Sequence, residues 1–232
     1  MGFSCFVQTS LKGLETNKLF YADDSKFYAD CSIPGAAEAL QRDLNRVTDW
    51  TINTGMRFNK QSCKKVVFGV QPGTRLELCR SELQEAEFEK DLGVVMSNDL
   101  KFQRHAIHTL QKTWALFHLY RRALRNRHPS VMLKIFNMYL VPTLLFGVTV
   151  WWQGTASVFK EFEKLERAFW RLSPWGRHPQ ALAIADHIYK LSMCYIHRVY
   201  HKLSPINIDE VMPPLEHGLY TRSLTHRRVA HF

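Results

Sequence analysis

The 232-residue sequence predicts an α+β protein, with a mixed αβ part up to about residue 98 and a mostly α-helical part beyond it. Three observations predict this. Strand and helix signals alternate in the first hundred residues, and a three-to-four-residue periodicity takes over after Lys101. The composition is that of a globular chain, 46% hydrophobic, 12% aromatic and 22% charged, which excludes a disordered, collagenous or low-complexity protein.

Residues 19–30 (LFYADDSKFYAD) read as two aromatic-rich runs on either side of the polar turn Asp23-Asp24-Ser25, the pattern of a β-hairpin. A helix follows. Pro34 sits in its first turn, Ala37, Leu40, Leu44, Val47 and Thr51 recur at three- and four-residue steps, and Gly55 supplies the stop. Segments 56–59 (MRFN) and 64–70 (KKVVFGV) predict a strand pair, closed by a turn at Pro72 and Gly73. Glu77, Glu82, Glu85, Glu87, Glu89 and Asp91 then make an acidic surface stretch that leads into the apolar run 92–96 (LGVVM). From Lys101, residues Phe102, Ala106, Leu110, Trp114, Phe117, Tyr120 and Leu124 share one face of a long helix that Pro129 ends. Further helices are predicted over 130–151, 157–172 and 179–203, and Pro205, Pro213 and Pro214 mark a loose basic tail.

Thirty-one Lys and Arg against 21 Asp and Glu leave a formal charge of +10, which suits nucleic acid or an anionic membrane surface. The five cysteines are odd in number and contain no CxxC pair, which argues against a disulfide framework or a four-Cys zinc site and for a reduced, intracellular protein. The first ten residues carry no recognisable targeting signal. Residues 135–159 lack any charge and are long enough for a membrane span. Asn137, Pro142, Gly147, Gln153 and Gly154 interrupt the run, however, and Pro142 would break a helix at its middle. The segment is therefore read as a buried, proline-bent core element, and a span is not expected.

Neighbouring carboxylates at a tight turn repel one another unless a cation lies between them. Asp23 and Asp24 are accordingly candidate ligands for Mg²⁺, which prefers oxygen donors and keeps waters for a substrate phosphate. A solvated turn is the other reading of the same pair. The run Phe20-Tyr21-Ala22-Asp23-Asp24 is also followed by LQRDLNRVTDW (40–50), by Gly55-Met56-Arg57-Phe58-Asn59 with Cys63-Lys64, and by Lys90-Asp91-Leu92-Gly93-Val94. In order and spacing this series resembles the (F/Y)xDD box and following motifs of reverse transcriptases from non-LTR, LINE-type retrotransposons. Residues 99–105 (DLKFQRH), 138–152 (MYLVPTLLFGVTVWW) and the face at Leu165, Glu166, Arg167 and Arg171 look like the thumb-side helices of the same elements. The likeness extends over roughly 18–205.

The resemblance implies a partial polymerase palm over 19–98 and a thumb- or connection-like helical region over 99–204, flanked by tails at 1–18 and 205–232. It implies Asp23 and Asp24 as catalytic, Mg²⁺-binding carboxylates and Leu92, Gly93 and Val94 as a primer-grip turn. The chemistry implied is attack of a primer 3′-hydroxyl on a nucleotide α-phosphate. Two features depart from the family. The palm needs a further Asp from an earlier strand, whereas the sequence has no Asp before Asp23 and only Glu15 as an earlier acid; the fingers have no residues to form them. Ser62 also stands where the family places a Lys before the Cys.

Between Leu100 and Phe159 there is no Asp or Glu, while Lys101, Arg104, Lys112, Arg121, Arg122, Arg125, Arg127 and Lys134 accumulate on and around one helix. A face of one sign either contacts phosphate backbones or is merely solvated. Trp114, Phe117 and Tyr120 are either base-stacking or core residues, and their period favours the core. Cys194, His197 and His201 share a helical face but lack a fourth zinc ligand, and His105 and His108 lack an acidic or Cys neighbour.

The expected function is thus a nucleic-acid-binding segment of reverse-transcriptase ancestry that does not polymerise alone. Two alternatives stand beside it: an active RNA-directed DNA polymerase within a longer or complemented enzyme, and a non-enzymatic interaction or membrane-associated protein acting through 135–159. RNA or DNA and a complementing polypeptide are the expected partners.

Overall fold

The computed structural model describes residues 13–59, 61–69 and 75–206. Helices and short strands are mixed, an α+β architecture, and the chain divides into two compact units, 1–89 with 97–100, and 90–96 with 101–232.

The first unit opens on an antiparallel hairpin of β1 (Asn17–Tyr21) and β2 (Asp24–Tyr28), in register from Asn17 opposite Tyr28 to Tyr21 opposite Asp24. Alternation puts Phe20 and Phe27 on one face, where their rings meet edge-on at 6.1 Å. That face packs against Val47 and Trp50 of α1 (Ala36–Thr54). The helix keeps the expected periodicity: Leu40, Leu44, Val47 and Thr51 are buried, and Gly55 ends it in the left-handed conformation with φ 70°. Pro34 lies just outside it, because Gly35, also left-handed, occupies the N-cap.

Asp43 is the one buried charge of α1 and fastens the hairpin to the helix. Its carboxylate accepts the backbone N–H of Glu15 at 3.0 Å, the N–H of Thr16 at 2.7 Å and the Thr16 hydroxyl at 2.7 Å, with Arg46 at 3.2 Å. Burial alone would raise its pKa, but the hydrogen bonds from Glu15 and Thr16 outweigh burial and hold it below the ordinary Asp value.

The strand pair expected at 56–59 and 64–70 does not form. Residues 56–59 have no regular structure, and Phe58 packs beside Val47 instead. Only β3 (Lys64–Lys65) is a strand, and its partner is parallel and distant, β6 (Gln84–Glu85), with Lys65 paired to Glu85 at 3.0 Å. The expected turn at Pro72 and Gly73 lies outside the described residues. The acidic stretch supplies β4 (Glu77–Leu78) and β5 (Ser81–Glu82) as well as β6. Cys79 and Arg80 join β4 to β5, both at positive φ, as a tight right-twisted hairpin requires. β7 (Phe88–Asp91) and β8 (Val94–Ser97) form a further two-stranded sheet.

In the second unit α2 (Gln103–Ala123) buries His105, Ala106, Thr109, Thr113 and Phe117. It ends well before Pro129, which does not terminate this helix but begins the next. Pro129 is the first residue of α3 (Pro129–Ile135), where a missing N–H costs nothing, and the His128 ring accepts the N–H of Ser130 at 3.3 Å. A π-helical turn (Phe136–Leu140) and α4 (Val141–Leu144) continue α3. Pro142 therefore does not break the helix. The wider turn, in which the Val141 N–H reaches back to the Phe136 carbonyl, absorbs the ring, and the chain breaks instead at Gly147, φ 64°.

Phe136, Leu140, Leu144, Val148 and Trp151 are buried together, the last two on α5 (Val148–Trp151). Residues 135–151 thus give one face to the core, while Met138, Tyr139, Phe146 and Val150 on the other are exposed. No helix among the described residues is long and apolar enough to cross a membrane. α6 (Ala156–Trp170) and α7 (Ile184–Tyr200) complete the unit, each shorter than the stretches 157–172 and 179–203 anticipated for them.

Candidate nucleic-acid interface

The hairpin register leaves Ala22 and Asp23 as the two-residue connection, with Ala22 at φ 54°. Asp23 and Asp24 are both exposed at this tip. Glu15 lies at the opposite, open end of the hairpin, and its carboxylate is bound to Arg42 at 2.6 Å and Arg46 at 3.0 Å. The Arg42 hydrogen bond holds that carboxyl below the ordinary Glu range. Glu15 is therefore committed to α1. Among the described residues no group of three or more His, Cys, Asp or Glu is placed to share a metal ion.

Leu92 and Gly93 connect β7 to β8 at φ 45° and 94°, a pair of left-handed residues in a two-residue hairpin turn. Gly93 is required there: a Cβ on it would come within 2.8 Å of the Phe146 ring. Leu92 is exposed, but Val94 is buried, its side chain against Gly147. Only the tip of this turn can meet a ligand.

The basic residues crowd the outward side of α2 and the segment after it. Lys101, Arg104, Lys112, Arg121, Arg122 and Arg125 are exposed, and Arg127 is half-buried, donating to the Arg121 carbonyl at 2.9 Å. Arg104 and Arg122 stand about five turns apart and share one meridian, opposite the buried His105–Phe117 stripe, with Lys112 and Arg121 to either side. Arg121 and Arg122 also lie in the last turn, where the helix dipole favours positive charge. His118, Arg121 and Arg122 line a depression of about 360 Å³. The side chains of Lys112, Arg121, Arg122 and Arg125 make no ion pair among the described residues, so their charge faces outward. Trp114, Phe117 and Tyr120 belong to the core side, with Trp114 edge-on to Phe117 at 5.2 Å.

His105 was legible in sequence only as a lone histidine. It is buried, its Nδ1 accepts the Val95 N–H at 3.1 Å, and its ring stands edge-on to Trp151 at 5.1 Å. An accepting Nδ1 is unprotonated, so the neutral ring carries its proton on Nε2, which lies towards the Phe146 carbonyl without a hydrogen bond. Burial pushes its pKa down. His197 of α7 and His201 at its C-cap bring their rings to 4.2 Å, with Cys194 exposed on the same helix.

Of the face at Leu165, Glu166, Arg167 and Arg171, which α6 and its C-cap carry, Leu165 is buried and Arg167 is exposed. Arg171 is exposed, but Glu166 is buried and bonded to the start of α7, a role that no local pattern signals because its partner lies 18 positions on. Comparison with known proteins returns no matching family model, no similar curated protein and no similar solved structure.

Proposed function

We propose that this chain is a nucleic-acid-binding segment of reverse-transcriptase type, with residues 19–98 as part of a polymerase palm and 99–204 as a thumb-like region. The observation that carries the binding is the outward side of α2, where every exposed charge is basic, set in a stretch without an acidic residue between Leu100 and Phe159. The ancestry rests on the ordered motif series, and it is supported by the position of Asp23 and Asp24 at a solvent-exposed hairpin tip, where a metal-bound nucleotide has access.

Two carboxylates are too few to position two metal ions, and Glu15 is held elsewhere. These 232 residues alone are therefore expected to bind template and primer without extending the primer. A complementing polypeptide that restores a third carboxylate is the second reading. It is favoured by the outward face of the hairpin, where Leu19, Tyr21 and Tyr28 are exposed on a sheet of only two strands.

Primer extension with Mg²⁺ and an annealed template tests both. Background incorporation that is equal in the chain and in Asp23→Ala and Asp24→Ala agrees with binding alone, and incorporation abolished by either variant would show a working polymerase. Failure to retain labelled RNA or DNA in low salt would refute the proposal altogether.

A further inference from the structure

We propose that Trp175 is a stacking platform for an unpaired base, and that the nucleic acid bound along α2 is single-stranded where it passes the loop between α6 and α7. This rests on the reading above that the basic side of α2 binds nucleic acid. Of the six tryptophans, Trp175 alone is exposed, at 66%; the other five are buried or half-buried. One exposed aromatic ring is ordinary on a protein surface, and it is the setting of Trp175 that points to a ligand. Its ring lies 5.6 Å from that of His128, the N-cap of α3, which directly follows Arg125, Asn126 and Arg127. Arg125 and His128 are at most about 11 Å apart along the backbone, a distance that roughly three nucleotides cover at about 3.4 Å each. Arg127 donates to the Arg121 carbonyl at 2.9 Å and so ties this segment back to the end of α2. The indole thus stands beside the basic residues that close the α2 face.

The backbone that carries the ring is held. Ser173, Pro174, Trp175 and Gly176 form a β-turn, closed by the Gly176 N–H on the Ser173 carbonyl at 3.1 Å, with Ser first, Pro second and Gly fourth as a type I turn favours. Just beyond it, Arg177 is fixed 3.1 Å from Glu166 and donates to the Ala181 carbonyl at 2.9 Å. A ring on such a turn loses little freedom when it meets a partner. Charge and shape together select that partner. The exposed Arg121, Arg122 and Arg125 call for an anion, and the indole calls for a flat aromatic face. Carboxylates alone would match the arginines and leave the indole in water. A single strand offers both phosphates and bases with free faces, whereas a duplex keeps its base faces inside the stack.

The test uses the full chain with an end-labelled oligothymidylate and an abasic strand of the same length and charge, read by fluorescence anisotropy in low salt. Trp175→Ala is expected to bind oligothymidylate about five- to hundredfold more weakly, the range that loss of one base stack gives, and Trp175→Phe, which keeps a ring, to lose less. Affinity for the abasic strand and the salt dependence are expected to be the same in Trp175→Ala and the parent chain, because no phosphate contact is removed. Unlabelled oligothymidylate should quench the tryptophan emission of the parent chain and leave that of Trp175→Phe unchanged. Equal affinity of Trp175→Ala and parent for oligothymidylate, an equal loss on the abasic strand, as a merely structural role would produce, or quenching that persists in Trp175→Phe overturns the proposal while the binding along α2 stands. If neither strand is retained by the parent chain, both readings fall.

Discussion

Glu166 on α6 accepts the backbone N–H of Ile184, the first residue of α7, at 3.1 Å. The N-cap of α7 is Ala183, which has no side-chain acceptor, so a carboxylate from another helix satisfies an N–H that a local Ser or Asp would ordinarily take. Asp186 completes the arrangement by accepting the Ala183 N–H at 3.2 Å.

Glu166→Ala is therefore expected to destabilise the chain by about 1–3 kcal/mol, and Glu166→Gln, which keeps an acceptor, by less. Urea midpoints measure the difference. Burial raises the Glu166 pKa, so the folded chain holds this proton more tightly than the unfolded one. Its contribution is present below the ordinary carboxylate range and is lost as pH rises through the raised folded value. Glu166→Gln should remove that component of the pH dependence, and an unchanged profile would refute it.

Acid acts in the opposite sense through His105 and His187, whose pKa values burial pushes down. The unfolded chain takes up these protons first, so stability is complete above the ordinary histidine value of about 6.5 and falls as pH drops below it, by up to about 1.4 kcal/mol per pH unit for each group. Thermal unfolding at pH 7.5 and 5.5 reads the loss. His105→Gln is expected to be less stable at pH 7.5 and to lose less on acidification; an equal loss in both chains would exclude His105 as a source.

Gly93→Ala places a methyl group 2.8 Å from the Phe146 ring and asks an L-residue to hold φ 94°. The expected cost is about 1–3 kcal/mol, read from denaturant midpoints. In a Phe146→Ala background the clash disappears and only the backbone strain remains, so the increment should shrink. An unchanged increment would place the whole cost in the backbone.

Removing Arg121, Arg122 and Arg125 together is expected to weaken RNA or DNA binding and to reduce the slope of log affinity against log salt by about 2–3, since each lost phosphate contact contributes about 0.7–0.9. The same slope in the triple alanine variant would mean that these side chains are only solvated.

The helices were largely legible because their cause is local. In α1 the apolar repeat marks the buried face; in α2 the helical period holds, but the most deeply buried positions include the polar His105, Thr109 and Thr113, while Leu110, Trp114 and Tyr120 are only partly buried. The hairpin was legible for the same reason, a polar stretch between two runs of β-formers, but its turn falls at Ala22 and Asp23, and Asp24 and Ser25, expected in the turn, belong to β2. Proline misled twice, since neither Pro129 nor Pro142 ends its helix: one sits where no N–H is needed, and the other behind a π turn. The pairing of Lys64-Lys65 with Gln84-Glu85 was hidden because a parallel ladder joins segments that have no common local signal.

By itself the sequence determined the helical periods, the acidic doublet at a turn and a basic stretch without carboxylates, all properties of near neighbours along the chain. Tertiary structure alone decided that Glu166 caps a helix 18 positions away, that Asp43 anchors the hairpin and that Gly93 has no room for a methyl group. Burial gives such contacts their strength, and burial depends on which distant segments come to lie together.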